Sequence, residues 1–196
     1  MKSNTVVPML VLVLILSGLT LIVTLKLVAV AQPGPINPGP INLLTYANST
    51  GGIKFQYPSN WDKVQNGTKQ DTETDIVTLY PPSSNSNASI DVSTDDISDE
   101  KGTSVAQYSS EGLSDLKQSL KDFKLIESTT NNVLATLPAY KLVYTYQDGN
   151  TVLKDMEIGA IKGNKAYIIT YEGGVGEYDK YLPMVQKMID SFQVTK

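Results

Sequence analysis

The stretch that decides the fold runs from Leu137 to Glu172, LPAYKLVYTYQDGNTVLKDMEIGAIKGNKAYIITYE. In Ala139–Gln147, Tyr140, Leu142, Tyr144 and Tyr146 fall on alternate positions and share one face of a strand. Val152–Lys162 and Lys165–Glu172 read as two further strands joined by Gly163-Asn164, a tight hairpin turn. Hairpin-length connections demand antiparallel pairing. The segment Ala166–Tyr171 is apolar on both sides, as expected of a strand covered on both faces.

On the N-terminal side, Leu43–Ala47 and Ile53–Tyr57 flank the turn Asn48-Ser49-Thr50-Gly51-Gly52. Ile53, Phe55 and Tyr57 alternate with Lys54 and Gln56, the pattern of a half-buried strand that Pro58 ends. Ile76–Tyr80, stopped by Pro81-Pro82, and Ala88–Ser93 read as strands, and Lys124–Thr129 as a short one. Residues Ser104–Phe123 switch to helical spacing. Val105, Tyr108, Leu113, Leu116, Leu120 and Phe123 make one face, and Ser104 with Gln107 fits a capping box. At the C-terminus Tyr178, Tyr181, Leu182, Val185, Met188, Ile189 and Phe192 form the buried stripe of a second helix, with Pro183 expected near its first turn or at a kink. The expected class is α+β, an antiparallel sheet with one amphipathic helix for each face.

Residues 1–31 belong to a different polymer. Val6–Leu25 is 20 positions long without a charge, enough for a helix to span a bilayer. It is read as a signal anchor; the competing reading is a signal peptide cut after Ala29-Val30-Ala31. Residues 32–42, QPGPINPGPIN, repeat a Pro-Gly unit and read as a semi-extended linker, leaving 43–196 as the globular domain. The expectation is a membrane-anchored, extracytoplasmic protein, or a secreted one if 1–31 is removed. Three sequons, at Asn48, Asn66 and Asn87, agree with that side of the membrane.

Composition closes off much chemistry. The chain has no Cys, no His and no Arg, so all 16 cations are Lys, against 20 acids. Disulfides, thiolate and imidazole catalysis, and histidine- or cysteine-held metals are excluded. Residues 32–196 carry net −6, which repels nucleic acid. Oxygen chemistry remains. Asp91, Asp95, Asp96, Asp99 and Glu100 crowd ten residues and are candidate Ca²⁺ ligands, though their spacing is not an EF-hand and a solvated acidic loop is the plainer reading. Asp71, Glu73 and Asp75 alternate and would share one face of an extended segment. Asp155 with Glu157, or Glu172 with Glu177, are available as carboxylate pairs for a hydrolase, but exposed strand carboxylates are the default. Tyr140, Tyr144, Tyr146, Tyr167 and Tyr171 are candidates for a ligand-binding face; the alternative is a sheet surface packed by the helices. No catalytic or cofactor-binding residue is assigned.

Gly52-Ile53-x-Phe55-x-Tyr57-Pro58-x-x-Trp61, Leu137-Pro138-Ala139-Tyr140, Lys165-Ala166-Tyr167 and Asp190-Ser191-Phe192-Gln193-Val194 occur in an order and spacing that resembles the PsbP family, from about residue 43 to the end. Plant members of that family are extrinsic proteins of the photosystem II oxygen-evolving complex. The resemblance implies an α/β/α sandwich around an antiparallel sheet, shared with a nuclear Ran-binding relative. It also implies a non-enzymatic role, docking onto membrane complexes or other proteins. In plants these proteins help retain calcium and chloride at the manganese cluster. With no His, a histidine-based metal site does not carry over. The apolar segment and Pro-Gly linker, in place of a thylakoid transit peptide, point to a non-photosynthetic prokaryotic surface protein, an archaeal one among the options. The expected partners are the membrane and a membrane or surface protein. Calcium or a small ligand is the alternative, and a carboxylate-dependent hydrolase the further one.

Overall fold

Alternating apolar residues and short turns produce hairpins almost throughout the computed structural model, which describes residues 42–70, 72–82, 86–100 and 102–195. The anchor or signal segment and all of the linker except Asn42 lie outside the described residues. The elements are β1 (Leu43–Asn48), β2 (Ile53–Pro58), β3 (Asp62–Gln65), β4 (Lys69–Gln70), β5 (Glu73–Tyr80), β6 (Ser89–Asp96), α1 (Val105–Ser119), β7 (Lys124–Leu134), β8 (Leu137–Asp148), β9 (Thr151–Lys162), β10 (Lys165–Gly174), α2 (Tyr178–Asp190) and β11 (Gln193–Val194).

Eight strands form one antiparallel sheet in the order β3-β5-β6-β10-β9-β8-β7, with β4 beside β5. After β6 the chain passes through α1 to the far edge at β7. It then returns by hairpins through β8 and β9, so that β10 inserts between β9 and β6. A second, three-stranded sheet, β1-β2-β11, stands apart from the first, a division the strand pattern did not anticipate. It ties the two ends of the domain together: β11 pairs with β2, and the Thr195 N–H donates to the Gly52 carbonyl at 2.8 Å.

The two helices take opposite faces. Tyr108 and Leu116 of α1 are buried with Tyr140, Leu142, Tyr144, Tyr146, Leu153, Ala166 and Ile168. On the other face Tyr178, Val185, Met188 and Ile189 of α2 share a core with Val143, Met156, Ile158, Tyr167, Ile169 and Tyr171, which extends to Ile53 and Phe55 of the small sheet. Trp61 fills that core, edge-on to Tyr181 at 5.9 Å. The capping box is present: Ser104 Oγ accepts from the Gln107 N–H at 3.2 Å, and Gln107 Oε1 accepts from the Ser104 N–H at 3.1 Å. Pro183 lies inside α2 at the sixth helical position.

One glycine is demanded by packing. Gly159 lies directly opposite Tyr140, whose ring crosses it; a Cβ there would stand 2.4 Å from Tyr140 Cε1 and 2.7 Å from the hydroxyl. Gly159→Ala therefore must displace a fully buried ring, and a loss of about 1–3 kcal/mol is expected in urea melts. Gly112→Ala in α1 is the control. Its Cβ meets nothing within 4 Å, and replacing a helical glycine gains about 0.5–1 kcal/mol. Equal midpoints for Gly159→Ala and the parent would refute the packing argument.

Candidate functional site: a buried acidic layer beneath the first helix

Alternation and register place these carboxyl groups on the α1 side of the large sheet: Glu73 and Asp75 on β5, Asp91 and Asp95 on β6, Asp148 at the end of β8, Asp155 and Glu157 on β9, and Glu172 on β10. Two pairs stand directly opposite one another on adjacent strands, Glu73 with Asp95 and Asp155 with Glu172. Asp95 and Asp155 are 2% and 1% exposed. Like charges directly opposite are unfavourable in a sheet, and burial without a counter-ion makes them more so. Among the described residues the ion pairs are Lys141–Glu127 and Lys154–Asp179, neither involving the layer.

Phenols stand in for the missing cations. The Tyr108 hydroxyl on α1 donates to Asp95 Oδ2 at 2.9 Å, and Tyr140 donates to Glu157 Oε1 at 2.5 Å. Tyr146 donates to Glu172 Oε2, and Tyr144 lies directly opposite Asp155 on the neighbouring strand. At the β5–β6 end hydroxyls continue the pattern: Ser93 donates to Glu73 Oε1 at 2.8 Å, and Asn66, Thr78 and Asp91 form a chain with links of 2.7 and 2.5 Å. Two buried oxygens stay without a hydrogen-bond partner among the described residues, Asp95 Oδ1 and Asp155 Oδ1.

Burial sets the protonation of the layer. It pushes Glu73 up to about 7, against the pull of the Ser93 hydrogen bond and with the help of Asp75, Asp95 and Glu157. Burial, and then Glu172 opposite, hold Asp155 well above the usual carboxylate range. Asp91, Glu157 and Glu172 are raised for the same first reason, each pulled back by its hydroxyl donor. The phenols of Tyr108, Tyr140, Tyr144 and Tyr146 are raised well above their ordinary value by burial and by the acids beside them, so they remain donors. Between α1 and the sheet runs a crevice of about 30 Å³, lined by Glu73, Tyr108, Gly112, Leu116, Glu157, Ile168 and Thr170. That volume suits a single water-sized particle.

The structure redistributes the residues that sequence singled out. The five candidate calcium ligands are not brought together. Asp91 and Asp95 lie in β6 facing the α1 side, whereas Asp96, Asp99 and Glu100 are exposed at the strand end and the following turn. Among the described residues, no three acidic side chains are grouped so as to hold a metal ion. The five tyrosines form no common face: Tyr140, Tyr144 and Tyr146 are buried on the α1 side, Tyr167 and Tyr171 on the α2 side. Helix-packed sheet faces, the alternative reading, describe them. Asp71 lies outside the described residues, while Glu73 and Asp75 share a face as expected. Asp155 and Glu157, expected to be exposed, are buried, and Glu177 instead precedes α2 as its N-cap residue. At the sequons, the Asn48 and Asn66 amides donate to Tyr46 and Thr78, and Asn87 is exposed. The cross-strand partnership of Asp155 with Glu172 escaped sequence reading. Counting back from the Gly163-Asn164 turn would have found it, since Lys162 opposite Lys165 puts Asp155 opposite Glu172.

Fold and layer together define a mainly antiparallel α+β domain whose polar interior is built from acids and phenols. The family model described as PsbP-like protein matches residues 36–194, and the chain belongs to that family. Among solved structures, cyanobacterial PsbP (CyanoP) from Synechocystis sp. PCC 6803 matches with a TM-score of 0.59 at 17% identity, covering 85% of this chain and 98% of that one. LpqN of Mycobacterium tuberculosis, described as involved in cell envelope biogenesis, matches with a TM-score of 0.55 at 13% identity, covering 80% of this chain and 92% of that one. At such identities the likeness is one of fold. No curated protein matches in sequence.

Two outcomes test the layer. Tyr108→Phe removes the donor to Asp95 and leaves a buried carboxyl without it, so a loss of about 1–3 kcal/mol is expected by chemical denaturation; a loss below 0.5 kcal/mol, on the order of a surface change, would refute the role of the contact. A carboxyl raised on folding keeps a proton that the unfolded chain has released. Its stabilising contribution is complete below the unfolded value of 4.5 and declines as pH rises, for Glu73 until about 7. The melting temperature should therefore fall between pH 5 and pH 7.5, and Glu73→Gln should make that fall shallower.

Proposed function

We propose that the chain is a non-enzymatic, extracytoplasmic docking domain, held at the membrane by residues 1–31, spaced from it by 32–42, and acting by association with a membrane or surface protein. The observation that carries this reading is membership of the PsbP-like family across essentially the whole globular part. The fold shared with LpqN, a protein tied by its description to the cell envelope, supports an envelope setting. The apolar run Val6–Leu25 and the Pro-Gly repeat supply the tether and the spacer.

The acidic layer speaks for binding over hydrolysis. Glycosidase carboxylates flank a cleft that admits a sugar and stand roughly 5–10 Å apart across it. Here Asp95, Asp155 and Glu157 are buried, and the crevice beside Glu73 and Glu157 has room for a water-sized particle rather than a sugar. Calcium binding, the alternative role, would have to use fewer acids than the run from Asp91 to Glu100 suggested.

Chemical cross-linking of the full chain in the membranes of its own cells, followed by affinity purification, tests the reading. A discrete cross-linked membrane or surface protein is expected, with the chain itself sedimenting with membranes. Recovery of the chain alone, in soluble form, would overturn the docking role. Mass spectrometry of the mature protein tests the tether separately: a first residue at Gln32 would remove it while leaving docking intact.

A further inference from the structure

Asp155 and Glu172 lie directly opposite each other on β9 and β10, on the α1 side of the sheet. Asp155 is 1% exposed, and its Oδ1 has no hydrogen-bond partner among the described residues. Directly opposed residues carry Cβ atoms roughly 4.5–5.5 Å apart, so two carboxylates here would repel at close range where little water reaches them.

Among the described residues the groups that bear on the pair are acids and neutral donors, including the phenols of Tyr80 on β5 beside Glu172 and of Tyr178 on α2 beside Asp155. From β8 come the phenols of Tyr144 and Tyr146 and the carboxyl of Asp148. Glu157 lies two residues along β9, and Asp91 faces the pair from β6. The segment after α1 contributes an apolar cover, the Phe123 ring on Tyr144 with centroids 5.3 Å apart. Lys154 precedes Asp155 but points to the opposite face, where its ammonium stands 4.1 Å from the Tyr178 ring centroid. A proton on Asp155 Oδ1 resolves both difficulties at once. It gives the orphaned oxygen a hydrogen to donate across the strands, and it leaves one negative charge where there would be two.

We propose that Asp155 and Glu172 share one proton and act as a latch. With the proton in place, the β9–β10 pair and the Tyr144–Phe123 cover above it stay closed. Its release to solvent as pH rises sets two anions against each other and loosens that cover. The domain thereby carries an alkaline-side switch within the sheet. Glu73 titrates at the other end of the layer, so the latch must be read residue by residue.

Side-chain carboxyl ¹³C NMR of the full chain in detergent micelles reads it directly, alongside amide hydrogen exchange in β8 and β9. The pair should titrate in two steps, one proton leaving in the ordinary carboxylate range and the second retained to neutral pH or above. Between the ordinary carboxylate range and the second step the opening constant from exchange, corrected for the intrinsic effect of pH, should rise about tenfold per pH unit, the slope of one proton released on opening, and level off above that step. Asp155→Asn keeps the shape and supplies a fixed donor, so the second step and the rise should both vanish. Glu172→Gln gives the same readout from the other strand should the first variant fail to fold. The latch is overturned if both carboxyls ionise below pH 5 in the folded protein, or if both variants open with the parent's pH dependence. Slow exchange restored at pH 8 by Ca²⁺, and not by NaCl of equal ionic strength, would also overturn it by assigning the pair to a cation.

Discussion

Hydrogen bonding between phenols and carboxyls is the constraint on which the α1 half of this protein depends. The chain has no Arg and no His, and among the described residues the ion pairs Lys141–Glu127 and Lys154–Asp179 lie outside the acidic layer. A buried acid can then be satisfied by a proton of its own or by a neutral donor. Tyrosine supplies the donor three times: Tyr108 to Asp95, Tyr140 to Glu157, and Tyr146 to Glu172. The excess of Tyr over Phe, 11 against 3, thus has a partial physical account. A Phe at any of these three positions would pack as well and leave a carboxyl short of a partner.

That chemistry shapes the backbone around it. For its hydroxyl to reach Glu157, the Tyr140 ring has to lie across β9, and only a residue without a Cβ leaves room at position 159. Tyr108 must project from α1 toward Asp95, which fixes how α1 sits on the sheet. Its N-terminus is set by the Ser104–Gln107 box only four residues before. The helix therefore contributes a hydrogen-bond donor as well as an apolar face. Burying charge-capable groups beneath it also makes this layer the one most responsive to pH.

How much of this was legible follows from what determines each feature. Strands with strict alternation, such as β2 and β8, and helices with a cap or a long apolar stripe, such as α1 and α2, can be read locally because one residue's neighbours in sequence are its neighbours in space. β7 was read as six residues and runs for 11, since Ser128–Asn132 carries no alternation and owes its strand form to pairing with β8 across two bulges. β3, β4 and β11 are two to four residues long and exist through their partners. The burial of Asp155 and Glu157 was missed because alternation assigns a side chain to a face and does not say whether that face is covered. The division of the tyrosines between faces depends on register. Tyr140 opposes Gly159, Gly159 opposes Ile168, and so Tyr167 must point the other way.

The two faces of the sheet divide the work of the domain. The α2 side is nearly all apolar, from Ile53, Phe55 and Trp61 through Val77, Leu79 and Ile90 to Val185 and Ile189. Its stabilisation scales with area removed from water and is indifferent to protonation. It also joins the small sheet, the large sheet and the C-terminal helix into one core, so it can hold the fold while the other side varies. The α1 side has the opposite character: its contacts are directional, and their strength depends on where protons reside. Loosening α1 need not unfold the chain, because the hairpins β8–β9–β10 are retained by backbone pairing and by the α2 core beneath them. A fold built this way can change the cover on one face while the opposite face keeps the sheet intact.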